Sequence, residues 1–237
     1  VIDGFPLDAA HALSIALAKK YGWVDHIPTP GFFGDTPPQM LAVEVGIGKT
    51  HQVPWGRLSI PKWEGGFVQT SLEPIPGGNL PRFVLVGNMK KKWAPEVEDI
   101  AAITREVLKA NSIYRGKALR VKLPEPNEEF DPRIAPKFIP TDVDPNNLIF
   151  PDDVMYAIQD SLFSIIQGTE AARADKVPLK RGILFAGPYG VGKTMTSGVT
   201  ARYCVENGWT FILLDNITQL ASAMAFARQY QPAVLFA

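Results

Sequence analysis

The sequence predicts an α/β protein. A P-loop doubly wound parallel sheet is expected in residues 148–237, preceded by a small α+β or partly barrel-like region in residues 1–122. Three observations lead there. The octet Gly187-Pro188-Tyr189-Gly190-Val191-Gly192-Lys193-Thr194 fits the pattern of a Gly, four residues, then Gly-Lys-Thr. Around it the chain alternates strand, helix, strand, helix, strand, the order that right-handed crossovers wind into a parallel sheet. Between the two regions, Leu123 to Asn147 carries six prolines (Pro124, Pro126, Pro132, Pro136, Pro140 and Pro145) interspersed with acidic residues. That composition reads as a linker or extended arm, because proline can continue neither a helix nor a central strand.

In chain order, residues 7–21 read as a helix, with Ala10, Leu13, Leu17 and Tyr21 near helical spacing. Pro/Gly-rich chain follows from Pro28 to Pro38. Candidate strands are Met40–Val45, Gln52–Ile60, Gly66–Leu72 and Arg82–Val86, punctuated by Gly and Pro. Pro95 opens a helix over Glu96–Ala110, whose Val97, Ile100, Ile103, Val107 and Leu108 share a face. Lys117–Leu123 is expected to close this region as its last strand. Past the proline-rich stretch, Pro151-Asp152-Asp153 reads as a helix start, with acids at the positive end of the dipole. Its apolar face is Val154, Ile158, Leu162 and Ile165, and Gly168 ends it. A shorter helical piece, Glu170–Asp175, comes next. Gly182–Ala186 is a short apolar run, as expected of a buried parallel strand. A helix follows from Thr194 to Asn207, with Gly208 as its stop. Then come a strand at Thr210–Asp215, a helix at Thr218–Tyr230 and a strand beginning at Pro232.

The chemistry of the octet needs this context. Glycines let backbone N–H groups turn toward a phosphate chain, and the helix N-terminus adds a favourable dipole. Lys193 is expected against the β- and γ-phosphates of ATP, and the Thr194 hydroxyl on Mg²⁺. Gly187, Pro188, Tyr189, Gly190, Val191 and Gly192 form the cradle, and Met195, next in the helix, completes the nucleotide-binding set. Lys193 and Thr194 are the candidate catalytic residues. A second Gly-Lys-Thr, at Gly48-Lys49-Thr50, serves as a control. Val43 stands where the first glycine belongs, and His51-Gln52-Val53-Pro54 does not continue as a helix, so this reads as a turn between strands.

Composition narrows the function classes. Lys+Arg and Asp+Glu balance at 24 each, which gives no global field for nucleic acid or an anionic membrane. One cysteine, Cys204, excludes an internal disulfide and suits a reducing, cytoplasmic setting; it reads as a buried small hydrophobe. No apolar run approaches the roughly 18 residues of a membrane span, and no signal peptide is visible. The first residue is Val rather than Met, so the chain reads as trimmed at its start. Trp23, Trp55, Trp63 and Trp93 lie near Lys90-Lys91-Lys92, a set that could stack single-stranded nucleic acid. The neutral net charge favours the alternative, in which the tryptophans pack a small core and the lysines form a solvated turn. His11, His26 and His51 lack metal-ligand spacing with one another or with Cys204.

Pro178-Leu179-Lys180-Arg181-Gly182-Ile183-Leu184-Phe185-Ala186-Gly187-Pro188 resembles the strand-to-loop lead-in of AAA+ ATPases. Leu148-Ile149-Phe150 and the helix after it resemble that family's adenine-side segment, and Pro232-Ala233-Val234-Leu235-Phe236 resembles its Walker B strand. The resemblance covers residues 148–237. It implies an ATP-binding and ATP-hydrolysing subunit that uses Mg²⁺, assembles as a homo-oligomer (a hexameric ring) and remodels a macromolecular partner. It also implies an N-terminal domain for adaptors or substrates. Asn216–Gln231 holds Phe226 and Tyr230 but no aromatic–apolar–Gly triplet, so the resemblance does not extend to a pore loop. The acidic pair of Walker B is expected within about three positions after Ala237, and the chain ending there is expected to hydrolyse almost no ATP.

Two other readings stay open. Phe211-Ile212-Leu213-Leu214-Asp215 is an apolar strand ending in a carboxylate that could hold Mg²⁺, as in a kinase-like phosphotransferase. The AAA+ lead-in favours Asp215 as a strand-end residue instead. A nucleotide-dependent interaction module without turnover is the third reading.

Overall fold

The computed structural model describes residues 1–237 other than 33, 75–79, 126–127, 129 and 132–133, so Pro126 and Pro132 of the proline-rich stretch lie outside the described residues. The chain opens with helix α1 (Pro6–Tyr21), which has proline in its first turn and Gly22 (φ 77°) as its stop; the Gly22 N–H donates to the Ala18 carbonyl. Its alanines and leucines are buried almost all round, since α1 packs on helix α2 (Ala94–Asn111) and on sheet strands.

Strands β1 (Asp25–Ile27), β4 (Arg57–Ser59), β5 (Phe67–Glu73) and β6 (Arg82–Asn88) form an antiparallel sheet in that order, while β2 (Gln39–Gly46) and β3 (Lys49–Trp55) form a separate hairpin. The strand expected over Gln52–Ile60 is therefore two strands in two sheets. Gly56 (φ 115°) is the break: its N–H donates to the buried Thr70 hydroxyl at 2.8 Å, and the Thr70 N–H donates to its carbonyl at 3.0 Å. The second Gly-Lys-Thr is the turn of the hairpin: Gly46 pairs with Lys49 across Ile47-Gly48, and Gly48 takes φ 67°.

The second half builds around a four-stranded sheet in the order β10 (Ala233–Phe236), β9 (Thr210–Leu214), β7 (Ala118–Val121), β8 (Lys137–Phe138). β10, β9 and β7 are parallel, and β8 is antiparallel to β7. Two expectations are corrected here. Strand 118–121, read as the last element of the first region, belongs to this later sheet, where its apolar, twice-buried residues meet β9 rather than β6. The strand expected over Gly182–Ala186 is in no sheet. It meets β10 through the Phe185 ring without a backbone ladder, and Leu184 is 90% exposed.

The helix after Pro151 carries a further correction. It runs as α3 (Asp152–Ile158), a π-turn over Gln159–Phe163 and α4 (Ser164–Gln167). A π-turn adds one residue to the helical repeat. After Ile158 the buried positions are therefore Phe163 and Ile166, each one residue beyond the expected Leu162 and Ile165. Helix α5 (Thr169–Ala174) follows, and α6 (Lys193–Glu206) and α7 (Leu220–Gln229) flank the parallel strands. α6 ends as its glycine foretells: Gly208 takes φ 72° and the Trp209 N–H donates back to the Cys204 carbonyl at 2.7 Å.

The main core crosses the proline-rich stretch. It runs from Ile2 and Phe5 through α1, α2, β5 and β7 to Phe226 and Tyr230. Phe5 meets Tyr114, Phe130 and Phe226 edge-on, at ring-centroid distances of 5.9, 5.5 and 5.3 Å. Pro124 and Pro136 are buried, and Phe130 and Phe138 lie on the core, so the described part of the stretch is docked rather than free. Two smaller clusters flank α6, one around Trp209 and Phe211 and one around Phe163 and Val199. Cys204 lies in the first, where burial pushes its thiol pKa up, consistent with a packing role. Trp63 is buried and donates through Nε1 to Glu96, Trp55 and Trp93 are half-buried, and Trp23 is exposed. Three of the four thus take the packing role. Among the described residues, no helix is long and apolar enough to cross a membrane.

Candidate nucleotide site

The loop that precedes α6 is set by its glycines. Gly190 and Gly192 take φ 86° and 92°, left-handed backbone that a side chain would strain. Gly192 caps α6, and a Cβ there would stand 2.9 Å from Cζ of Phe150, so the Phe150 ring closes directly on the loop. α6 then begins at Lys193, which places the unpaired N–H groups of its first turn at the loop. The Thr196 hydroxyl donates back to the Gly192 carbonyl at 3.1 Å and ties the loop to the helix.

Lys193 lies over the loop it follows. Its ammonium donates to the carbonyls of Gly187 and Pro188, each at 2.8 Å. The octet's charge, backbone amides and helix terminus are therefore gathered within one turn of chain. Thr194 and Met195 are exposed on the first turn of α6, and Tyr189 and Val191 are exposed on the loop. All nine expected residues, 187–195, fall in this one loop-and-helix start. The lead-in also reaches the sheet: the Phe185 ring stacks on Phe236 of β10 at 6.1 Å, and Phe236 meets Phe211 of β9 at 6.2 Å.

The adenine-side segment divides. Leu148 is buried, Ile149 is exposed and Phe150 packs on Gly192. Behind it, Val143 fills the space beside Gly198 of α6, and the Arg202 guanidinium donates to the Val143 carbonyl at 3.0 Å. Asp215 sits elsewhere in the network. It is exposed at the end of β9, with its carboxylate 3.5 Å from Nε of Arg120, and among the described residues no hydrogen bond or ion pair joins it to residues 187–195.

Sequence reasoning missed two polar clusters. Asp8, on α1, is completely buried. Its carboxylate accepts from the Ser112 hydroxyl (2.6 Å), the Ile113 N–H (3.1 Å) and the Tyr230 hydroxyl (3.1 Å). Burial outweighs these bonds and the nearby Arg115, and raises its pKa to about 6. An aspartate in an apolar helix was the only signal in the sequence. The second cluster is His11 and His51, 40 positions apart in sequence, whose Nε2 and Nδ1 stand 3.1 Å apart. Burial and the facing His51 hold the His11 pKa below its ordinary value. Among the described residues no group of three or more His, Cys, Asp or Glu side chains is gathered where it could hold a metal ion.

Compared with protein-family models the chain matches none, and compared with curated proteins it has no significant relative.

Proposed function

We propose that this chain is the nucleotide-binding part of an AAA+ type ATPase subunit, which couples ATP binding and hydrolysis to remodelling of a macromolecular partner. The observation that carries the reading is the octet's geometry. Left-handed glycines at 190 and 192 lead into the start of α6, and the Lys193 ammonium lies back on the carbonyls of Gly187 and Pro188. A triphosphate would replace those carbonyls as the partner of Lys193. The backbone N–H groups of Gly190, Val191 and Gly192 would bind its oxygens, and the exposed Thr194 hydroxyl would hold Mg²⁺. When bound, the ion would supply neutralisation of phosphate charge. Lys193 stabilises negative charge where it grows in the transition state, and Phe150 holds the loop from behind at Gly192. These donors fit a polyphosphate, because amides, an ammonium and a helix N-terminus all favour an anion.

The rest of the reading follows the resemblance: a homo-oligomeric, hexameric cytoplasmic subunit, with the N-terminal region taking a protein partner and residues 148–237 carrying the nucleotide.

Titrating labelled ATP with Mg²⁺ against the wild type and Lys193→Ala tests the reading. The expected result is saturable binding in the wild type that the variant loses. Equal affinity in both would overturn it.

A further inference from the structure

We propose that Asp8 and Arg115, from the N-terminal region, are positioning residues for the nucleotide reaction, acting through the turn that launches strand β10. This rests on the ATPase reading, in which the Lys193 ammonium stabilises the charge that grows in the reaction.

The turn runs from Tyr230, just past the end of α7, through Gln231 and Pro232 into β10. Residues far away in sequence hold much of it. The Arg115 guanidinium donates to two carbonyls, Gln231 and Gln229, each at 2.9 Å. The buried Tyr230 hydroxyl donates to Asp8 and accepts from the Phe5 N–H at 3.3 Å. The Tyr230 carbonyl accepts from the Thr210 hydroxyl at 2.8 Å, and that hydroxyl accepts from the Gly116 N–H at 3.0 Å. Asp8 is itself fixed by Ser112 and Ile113, on the same short connection as Arg115 and Gly116. So α1 and residues 112–116 clamp the start of β10 at its backbone and at its one buried hydroxyl.

The other end of β10 meets the lead-in to the nucleotide loop. Phe236 stacks on Phe185, two residues before Gly187. β10 has four residues, so a rotation or slip at Tyr230–Pro232 is carried along a rigid element to Phe236. The loop under the Lys193 ammonium begins two residues past Phe185, so a shift of Phe236 is a shift in the frame of that ammonium. A misplacement of about 1 Å, made far from the reacting atoms, can cost about 100-fold in rate. The N-terminal region therefore acts on the reaction as part of its frame, and a partner that shifts α1 or residues 112–116 alters turnover before it alters binding.

The test is Tyr230→Phe and Arg115→Lys in the full-length protein, with Lys193→Ala and Leu108→Ala as comparisons. Leu108 lies in the same core on α2 and packs on Gly4, and its side chain makes none of the turn's hydrogen bonds, so its truncation reports lost packing rather than lost hydrogen bonds at the turn. Each variant is measured for thermal unfolding, MgATP affinity and steady-state turnover. The expected result is an affinity within about twofold of wild type for Tyr230→Phe and Arg115→Lys, with kcat lowered about tenfold or more. Arg115→Lys retains more activity than Arg115→Ala, because one of the two carbonyl bonds survives. Leu108→Ala loses stability but keeps kcat once the folded fraction is counted. A kcat that tracks only the folded fraction in all of these variants would overturn the inference while the loss in Lys193→Ala upheld the ATPase reading. Wild-type protein that binds ATP through Lys193 without turning it over would overturn both.

Discussion

At the joint between α1 and the end of α7, Asp8 and Tyr230 are buried and held mainly by groups distant in sequence. At the loop before α6, Lys193 lies in an exposed stretch and is held by two backbone carbonyls only five and six residues away. The first arrangement takes its strength from burial: the carboxylate has lost water, so each missing donor would be costly. The second takes its character from exposure: under the proposed reading Lys193 would exchange its carbonyl partners for a ligand at little cost to the fold. Changes at the joint should thus appear first in stability, and changes in the loop first in binding.

The largest effect is expected at Phe226. It is completely buried and meets Phe5, Tyr114 and Tyr230 ring to ring. Phe226→Ala should lower stability by about 3–5 kcal/mol in urea unfolding. A loss below about 1 kcal/mol would show that the joint is not where the molecule is held together.

Next is the pH dependence of the joint. The pKa of Asp8 is raised from 3.8 to about 6 on folding, chiefly by burial, so the folded state binds the extra proton. Its contribution to stability is fully present below pH 3.8 and is lost as pH rises through about 6. The change amounts to about 3 kcal/mol at most. His11 acts with the opposite sign: its folded pKa is lowered from 6.5, so its contribution is present above that value and is lost as pH falls. The difference between the urea-unfolding profiles of the wild type and Asp8→Asn isolates the aspartate. That difference should change between pH 4 and pH 6, within the Asp8 window. A flat difference would mean that the carboxylate is not buried as described.

Lys193→Ala should invert the pattern. Loss of a charged contact to phosphate should weaken MgATP binding by about 2–3 kcal/mol, or about 30- to 150-fold, by isothermal titration. Stability without nucleotide should move by less than about 0.5 kcal/mol. A large loss of stability would show the lysine to be structural.

The smallest effect is expected at Asp215. Its pair with Arg120 is long and exposed, so Asp215→Asn should change stability by less than about 1 kcal/mol and leave nucleotide affinity unchanged. A marked fall in Mg²⁺-dependent affinity would turn the comparison round and make Asp215 a metal ligand of the kinase-like kind.

By itself the sequence determined the features that depend on neighbouring residues. The octet placed Lys193 at the head of a helix, Gly208 stopped that helix, and Gly48 turned the β2–β3 hairpin, because left-handed glycines and helix ends are local requirements. Tertiary structure alone decided which sheet each strand joined. Ala118–Val121 could have paired in either half, and its partner β9 lies some 90 positions further along the chain. Gly182–Ala186 has the apolar character of a strand, yet it joins no sheet and meets β10 only through the Phe185 ring among the contacts described. The π-turn at 159–163 shifted a helical face by one residue, a change that repeating apolar spacing does not register. The Asp8 joint was hidden for the same reason: its hydrogen-bond partners at 112, 113 and 230 lie more than 100 positions away, and burial, which raises its pKa, exists only once the chain has closed around it.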